Sequence, residues 1–213
     1  RDDSTTTRNA GVGALCIAFA AGLMAVYFAQ ATAMFDRQDI WRAAHEAKQD
    51  QPRPDVQRIS GVVVFDPGSS VNLDLDLAVR SDQPLQTLLF SLNPGLNVDQ
   101  LQIAGSDVPF THDNGLLEIA LPQSLRPGAD LTMNLFASGS PDIFFGYLDT
   151  FFNFLRGDFS KGQLGMLGIQ TSVFDSKFVA MMPGAHWIPS SGTDVPQSDP
   201  RKHPHDYYLL DLE

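Results

Sequence analysis

The sequence predicts a mainly β protein, an antiparallel β-sandwich or meander carrying one short aromatic-rich helix and preceded by a transmembrane α-helix. Three observations predict it. The run from Asn9 to Phe35 contains no charged side chain. Beyond residue 59 the apolar residues fall into short stretches, clearest in Val71 to Val79, where they alternate with polar ones. Those stretches are separated at regular intervals by turn-forming pairs and triplets, among them Asn114-Gly115 and Pro127-Gly128.

The apolar run is long enough to cross a bilayer, since a hydrocarbon core of about 30 Å takes about 20 residues of helix. The span is placed at residues 10–35, after a cytoplasmic-side flank at 1–9. A secretory signal peptide competes, because Ala31-Thr32-Ala33 has the spacing of a cleavage site. Against it stand the length of the apolar region and the two acids, Asp2 and Asp3, in the leading segment. A buried core helix would need covering on every side. Arg37, Arg42, Lys48 and Arg53 outnumber Arg1 and Arg8 across the span, which by the positive-inside rule alone directs the following domain to the cytoplasm. Large domains translocate largely regardless of charge, so orientation stays open on this ground.

Residues 36–48 keep helix-forming residues and read as a juxtamembrane extension of the helix, with Trp41 near the membrane interface. Pro52 and Pro54 then remove two backbone donors and favour extended backbone, so residues 49–58 read as a stiff linker. A β-rich domain is expected over 59–213. In Val71 to Val79, the residues Val71, Leu73, Leu75, Leu77 and Val79 share one face and Asn72, Asp74 and Asp76 the other. Further strands are expected at Leu85–Leu92, Val98–Ala104, Leu116–Leu121 and Leu131–Ala137. Asn93-Pro94-Gly95 and Pro127-Gly128 suit type II turns, and Asn114-Gly115 is a strong hairpin signal. The helix is expected at Pro141–Arg156, where Phe144, Phe145, Leu148, Phe151, Phe152 and Leu155 fall at helical spacing. That face packs on the sheet or dips into a membrane surface.

Composition narrows the partners. The net charge of −11 counts against nucleic acid, which needs clustered Lys and Arg. One cysteine, Cys16, lies inside the apolar run, so no disulfide forms within the chain. His45-Glu46-Ala47-Lys48-Gln49 begins like the zinc motif H-E-x-x-H, but Gln49 stands where the second histidine belongs. His203 and His205, near Asp199 and Asp206, form the one cluster with metal-binding residue types, and no third ligand is placed by spacing. No residue of the chain is therefore assigned a catalytic, cofactor-binding or metal role.

Three segments in order, Ile169–Phe174, Pro183–Pro189 and Tyr207–Leu212, resemble the end of the N-terminal β-domain in aminopeptidase N-like zinc peptidases of the gluzincin group. The likeness is greatest to bacterial membrane proteins in which such an ectodomain follows the last span of an ABC-transporter permease, where phrases like Asn93-Pro94-Gly95 and Asp113–Leu117 are expected. The resemblance implies a β-domain outside the bacterial inner membrane, supplying scaffold and one wall of a substrate cleft to a downstream catalytic-like domain that holds the zinc. Peptide substrate or transporter subunits would be its further partners. Gln170-Thr171 followed by Ser172-Val173-Phe174 departs from the family pattern, so no amine-binding residue is carried over. A start at Arg1 and an end in the strand-like Tyr207–Leu212 lead us to expect a piece of a longer protein. Two other functions stay open: a non-catalytic binding or assembly domain of a transporter, and an unrelated membrane-tethered adhesion module.

Overall fold

The structure is a computed structural model and describes residues 3–146, 148, 172–198 and 207–213. Its contacts divide the chain into two units, Arg1–Asp39 and Ile40–Glu213. The first is built from helix α1, Asp3–Glu46, whose last turns belong to the second unit. At 44 residues α1 is about 66 Å long. Its large apolar side chains, including Leu15, Ile17, Phe19 and Phe28, are exposed on all sides, so it has no stripe for a soluble core. The backbone is helical throughout the stretch expected to span a membrane. Among the described residues no helix is long and apolar enough to cross one.

The second unit is the β-rich part, and its strands are mainly antiparallel. In chain order they are β1 (Asp55–Asp66), β2 (Ser70–Arg80), β3 (Leu85–Ser91), β4 (Leu96–Ile103), β5 (Ser106–Asp107), β6 (Phe110–Asp113), β7 (Leu116–Leu125), β8 (Asp130–Gly139), β9 (Val173–Phe174), β10 (Val179–Ala180), β11 (Ser190–Ser191) and β12 (Leu209–Leu212). One sheet has the order β12-β1-β2-β8-β4-β5, a second β11-β3-β7-β6, and β9 pairs only with β10 among the described residues. The two large sheets enclose one core. Val71, Leu73, Leu75, Leu77 and Val79 of β2 meet Leu85, Leu88 and Phe90 of β3 and Leu117 and Ile119 of β7 there, all buried. The alternation in β2 is the expected one, with Asn72, Asp74 and Asp76 outward.

A meander does not form. β8 inserts between β2 and β4, in register from Val71↔Gly139 to Arg80↔Asp130, because β2 needs a long partner with its own inward row, Met133, Leu135 and Ala137. β3 instead crosses to the second sheet, where Leu88 to Ser91 are buried on both faces. β12 lies parallel to β1, with Arg58 opposite Leu209. β1 starts at Asp55, four residues earlier than the sequence suggests, directly after Pro54. A proline that donates nothing is tolerated just ahead of a first strand residue.

Turn chemistry is met in two cases and revised in a third. Asn114 and Gly115 both have positive φ, 53° and 76°, the type I′ geometry that joins β6 to β7. Gly128 has φ 75° at the third position of a turn closed by Ala129 N–H to the Arg126 carbonyl at 3.0 Å, as a type II turn requires. Gly95 has no positive φ. A Cβ there would stand 2.1 Å from the Ser140 carbonyl oxygen, so it is close approach and not dihedral freedom that calls for glycine.

The helix expected at Pro141–Arg156 is not present over its described start. Residues 141–146 form turns and bends. Asn93 anchors this start: its side chain accepts the Asp142 N–H at 2.7 Å and donates to the Asp142 carbonyl at 3.0 Å. Gly146 then has φ 124°, outside helical geometry. Of the rest of that segment, only Leu148 is among the described residues.

Candidate functional site: a histidine clamp at the end of helix α1

The last turns of α1 carry Trp41 and His45 one helical turn apart on the same face. Both are buried, Trp41 at 7% exposure and His45 at 0%. Trp41 is thus covered by protein. It packs edge-on against Phe145, ring centroids 5.3 Å apart, and with Leu148 and Val195 forms a small apolar cluster separate from the sandwich core. Phe145 also touches the rings of His45 and His186, at 5.7 and 5.9 Å between centroids.

Polar bonds close this cluster on every side. The Arg42 Nε–H donates to the Leu148 carbonyl at 2.7 Å. Lys48 Nζ meets Glu118 Oε1 on β7 at 2.5 Å, with both side chains about 70% buried. Arg53 donates to Thr193 Oγ1 at 2.8 Å and to the Val195 carbonyl at 2.9 Å. Each group comes from a different stretch of chain, so the clamp exists only in the folded molecule.

His45 is its hub. The backbone N–H of Asp194 donates to Nδ1 at 2.9 Å, so Nδ1 carries no proton; Nε2 lies 3.1 Å from the Asn114 carbonyl and must be the N–H donor. Two neighbours thus select one neutral tautomer. Burial is the main cause that lowers the His45 pKa to about 4; the Asn114 carbonyl and the Asp194 charge oppose the fall, and His186 and Arg53 add to it.

A second histidine stands beside the first. The 3-10 turn Pro183–Ala185 ends in His186, whose left-handed backbone, φ 48° and ψ 39°, turns the chain towards β11. His186 Nε2 lies 2.6 Å from Asp194 Oδ1, and its Nδ1 is hydrogen-bonded to the Ser190 hydroxyl. The other Asp194 oxygen accepts the Leu148 N–H at 2.7 Å. Serine, histidine and aspartate in that order of hydrogen bonds match the nucleophile, base and orienter of acyl-transfer enzymes. All four nitrogens of His45 and His186 and both Asp194 oxygens are engaged within the protein. Two cavities border the clamp, one of about 190 Å³ lined by Trp41, Pro94, His112, Asp113, Asn114 and Gly115, the other by Thr87, Pro109, Phe110, Thr111, Glu118 and Ala120. The constellation holds segments together.

The remaining sequence candidates fall as follows. His112 Nε2 is 3.1 Å from the Leu92 carbonyl, at the hairpin beside the 190 Å³ cavity. His203, His205, Asp199 and Asp206 lie outside the described residues, as do Gln170 and Thr171. Among the described residues no three His, Cys, Asp or Glu side chains stand close enough to hold a metal ion. The sequence reading passed over Asp194, Arg53 and the hub role of His45. The spacing of Trp41, His45 and Lys48 along one helix face was the available signal.

No family model matches the sequence, and no curated protein matches it. Solved structures similar to the chain are M1 zinc metallopeptidases. A mutant from Deinococcus radiodurans bound to a Tyr-Ser-Ala substrate is 26% identical, with 45% of this chain and 22% of that one covered and a TM-score of 0.41. The unmutated protein from the same organism is 24% identical over the same shares, with a TM-score of 0.42. A two-domain M1 zinc metallopeptidase mutant bound to L-arginine is 28% identical, again over 45% and 22%, with a TM-score of 0.41. The chain thus spans less than a quarter of the length of these proteins, and TM-scores of this size carry no functional assignment.

Proposed function

We propose that this chain is the membrane-anchored β-domain of an aminopeptidase-like membrane protein, one in which a peptidase-like ectodomain follows a permease span. It serves as scaffold and as one wall of a substrate cleft for a downstream domain. The observation that carries this is a contact between two of the phrases on which the family resemblance rests. Asn93, of Asn93-Pro94-Gly95, donates from Nδ2 to the Ala185 carbonyl at 2.8 Å and from its backbone N–H to the His186 carbonyl at 2.8 Å, both within Pro183–Pro189. Segments far apart in sequence that share a family's phrasing and also bind one another behave as one structural unit. The uncharged run Asn9–Phe35 of α1, with its exposed apolar side chains, supports the anchor.

Zinc does not fit the residues described here, so no step of a reaction is assigned to them. Any hydrolysis belongs to a domain beyond Glu213, recognisable by H-E-x-x-H and a further Glu ligand. A second reading, a non-catalytic extracytoplasmic binding or assembly domain of a transporter, is favoured by the fully satisfied histidine clamp. The parent sequence decides between the two: with those ligands absent, the peptidase reading fails.

Placement is tested by cysteine labelling. In a Cys16→Ser background, Asp113→Cys places a thiol on the exposed β6–β7 hairpin. An impermeant reagent is expected to label it in cells whose outer membrane alone is permeabilised. Labelling only after lysis would put the domain in the cytoplasm.

A further inference from the structure

We propose that His45 is an acid-operated latch: protonation of its Nδ1 releases the last turns of α1, Trp41 to Glu46, from the Asn114 hairpin and from Asp194.

The geometry makes the neutral ring a condition of closure. Nδ1 is the acceptor for the Asp194 N–H, so a proton placed there sets two donors against each other and breaks that bond. The ring cannot escape by flipping. Nε2 would then face the Asp194 N–H, and Nδ1 would have to serve the Asn114 carbonyl, which leaves the same two donors opposed once the ring is charged. Nor can the Asp194 carboxylate swing in to stabilise the cation, because His186 holds one oxygen and the Leu148 N–H the other. Phe145 covers the ring with an apolar surface.

Charged and titratable groups come from every segment packed against the latch. Arg42, Glu46 and Lys48 belong to α1 and the turn after it; Arg53 precedes β1. His112, Asp113 and Glu118 come from the β6–β7 hairpin, Asp142 from the turn after β8, and His186 and Asp194 from the segment around β11. Of these, Asp194 favours a charged His45, while His186 and Arg53 disfavour it. Arg42, Lys48 and Arg53 are tied to Leu148, Glu118 and Thr193 respectively.

With His45 near pKa 4 in the closed form and at its ordinary 6.5 when released, closure weakens as pH falls through that window. The change approaches tenfold per pH unit and about 300-fold in all.

The test uses the full chain in detergent micelles, with Trp187→Phe so that Trp41 is the sole tryptophan. Between pH 7 and pH 5, Trp41 emission is expected to shift to the red. Amide exchange over 41–46, corrected for intrinsic rates, is expected to quicken at least tenfold while 71–79 stays protected. His45→Gln keeps one acceptor and one donor without a titrating proton, and should abolish the pH dependence. An unchanged wild type over that range, or the same profile in His45→Gln, would overturn the latch. Should that variant not fold, nitrogen NMR of the wild-type imidazole decides: titration together with Trp41 exposure supports the latch, and titration near 6.5 with Trp41 still buried refutes it.

Discussion

The Asp194 backbone N–H donates to His45 Nδ1 at 2.9 Å, joining positions 149 apart in sequence. Through this bond one residue serves two histidines, because the Asp194 carboxylate holds His186 while its amide sets the tautomer of His45. Asp194 is therefore the keystone that couples the end of α1 to the turn before β11.

The depressed pKa of His45 makes stability depend on pH with a definite sign. The unfolded chain, with His45 at 6.5, binds a proton that the folded chain refuses until about pH 4, so stability is full above 6.5 and falls as pH drops through the window. About 3 kcal/mol is at stake across it. Urea midpoints measured at pH 7 and pH 4.5 should differ accordingly, and much less in His45→Gln. Equal midpoints in the wild type would contradict the buried neutral ring.

Alternation along β2 predicts opposite responses from neighbouring residues. Leu75, fully buried between β1 and β8, should cost about 2–5 kcal/mol when changed to Ala. Asp74 faces outward and accepts only a 3.2 Å bond from Asn134; Asp74→Ala should stay within about 0.5 kcal/mol. Chemical denaturation of the two variants side by side is the measurement, and comparable losses would mean the strand is out of register.

Glycines in two tight turns separate strain from collision. A Cβ at Gly115 would stand 2.2 Å from Phe145 Cζ, whereas at Gly105 it meets nothing, although both have φ near 75°. Gly105→Ala should cost only the left-handed backbone penalty, about 1–2 kcal/mol. Gly115→Ala should cost more and also alter Trp41 emission, because Phe145 must move.

Asn93 has no exposure and makes four side-chain bonds, to the Gly95 and Asp142 amides and to the Asp142 and Ala185 carbonyls. Asn93→Ala leaves those groups without their partner and should lower stability by about 2–4 kcal/mol. Asn93→Asp keeps the acceptor but sets a buried carboxylate oxygen against the Asp142 and Ala185 carbonyls, so by thermal melting its loss should be at least as large.

Features governed by neighbours in sequence were legible in it. The inward row of β2 follows from side chains pointing alternately to the two faces of a strand, and the Asn114-Gly115 hairpin follows from which residues tolerate positive φ. Where a distant group intervened, local patterns misled. The aromatic spacing after Pro141 reads as helix, yet Gly146 takes a φ of 124° where the Gly184 backbone packs against it. Asn93-Pro94-Gly95 reads as a type II turn, yet Ser140, just past the end of β8, crowds Gly95. Leu85–Leu92 reads as the next strand along, yet its two buried faces send it to the second sheet.

The same division runs through the clamp. Composition and periodicity were enough to show a long uncharged run, a β-rich domain and the absence of an H-E-x-x-H motif, because each is a property of adjacent residues. Whether His45 would be a solvated side chain, a ligand or a buried hub was settled by partners at Asn114 and Asp194, 69 and 149 positions away. Hydrogen bonds of that range exist only once the sheets have closed, since their geometry depends on how distant segments pack and not on any local preference of the residues that make them.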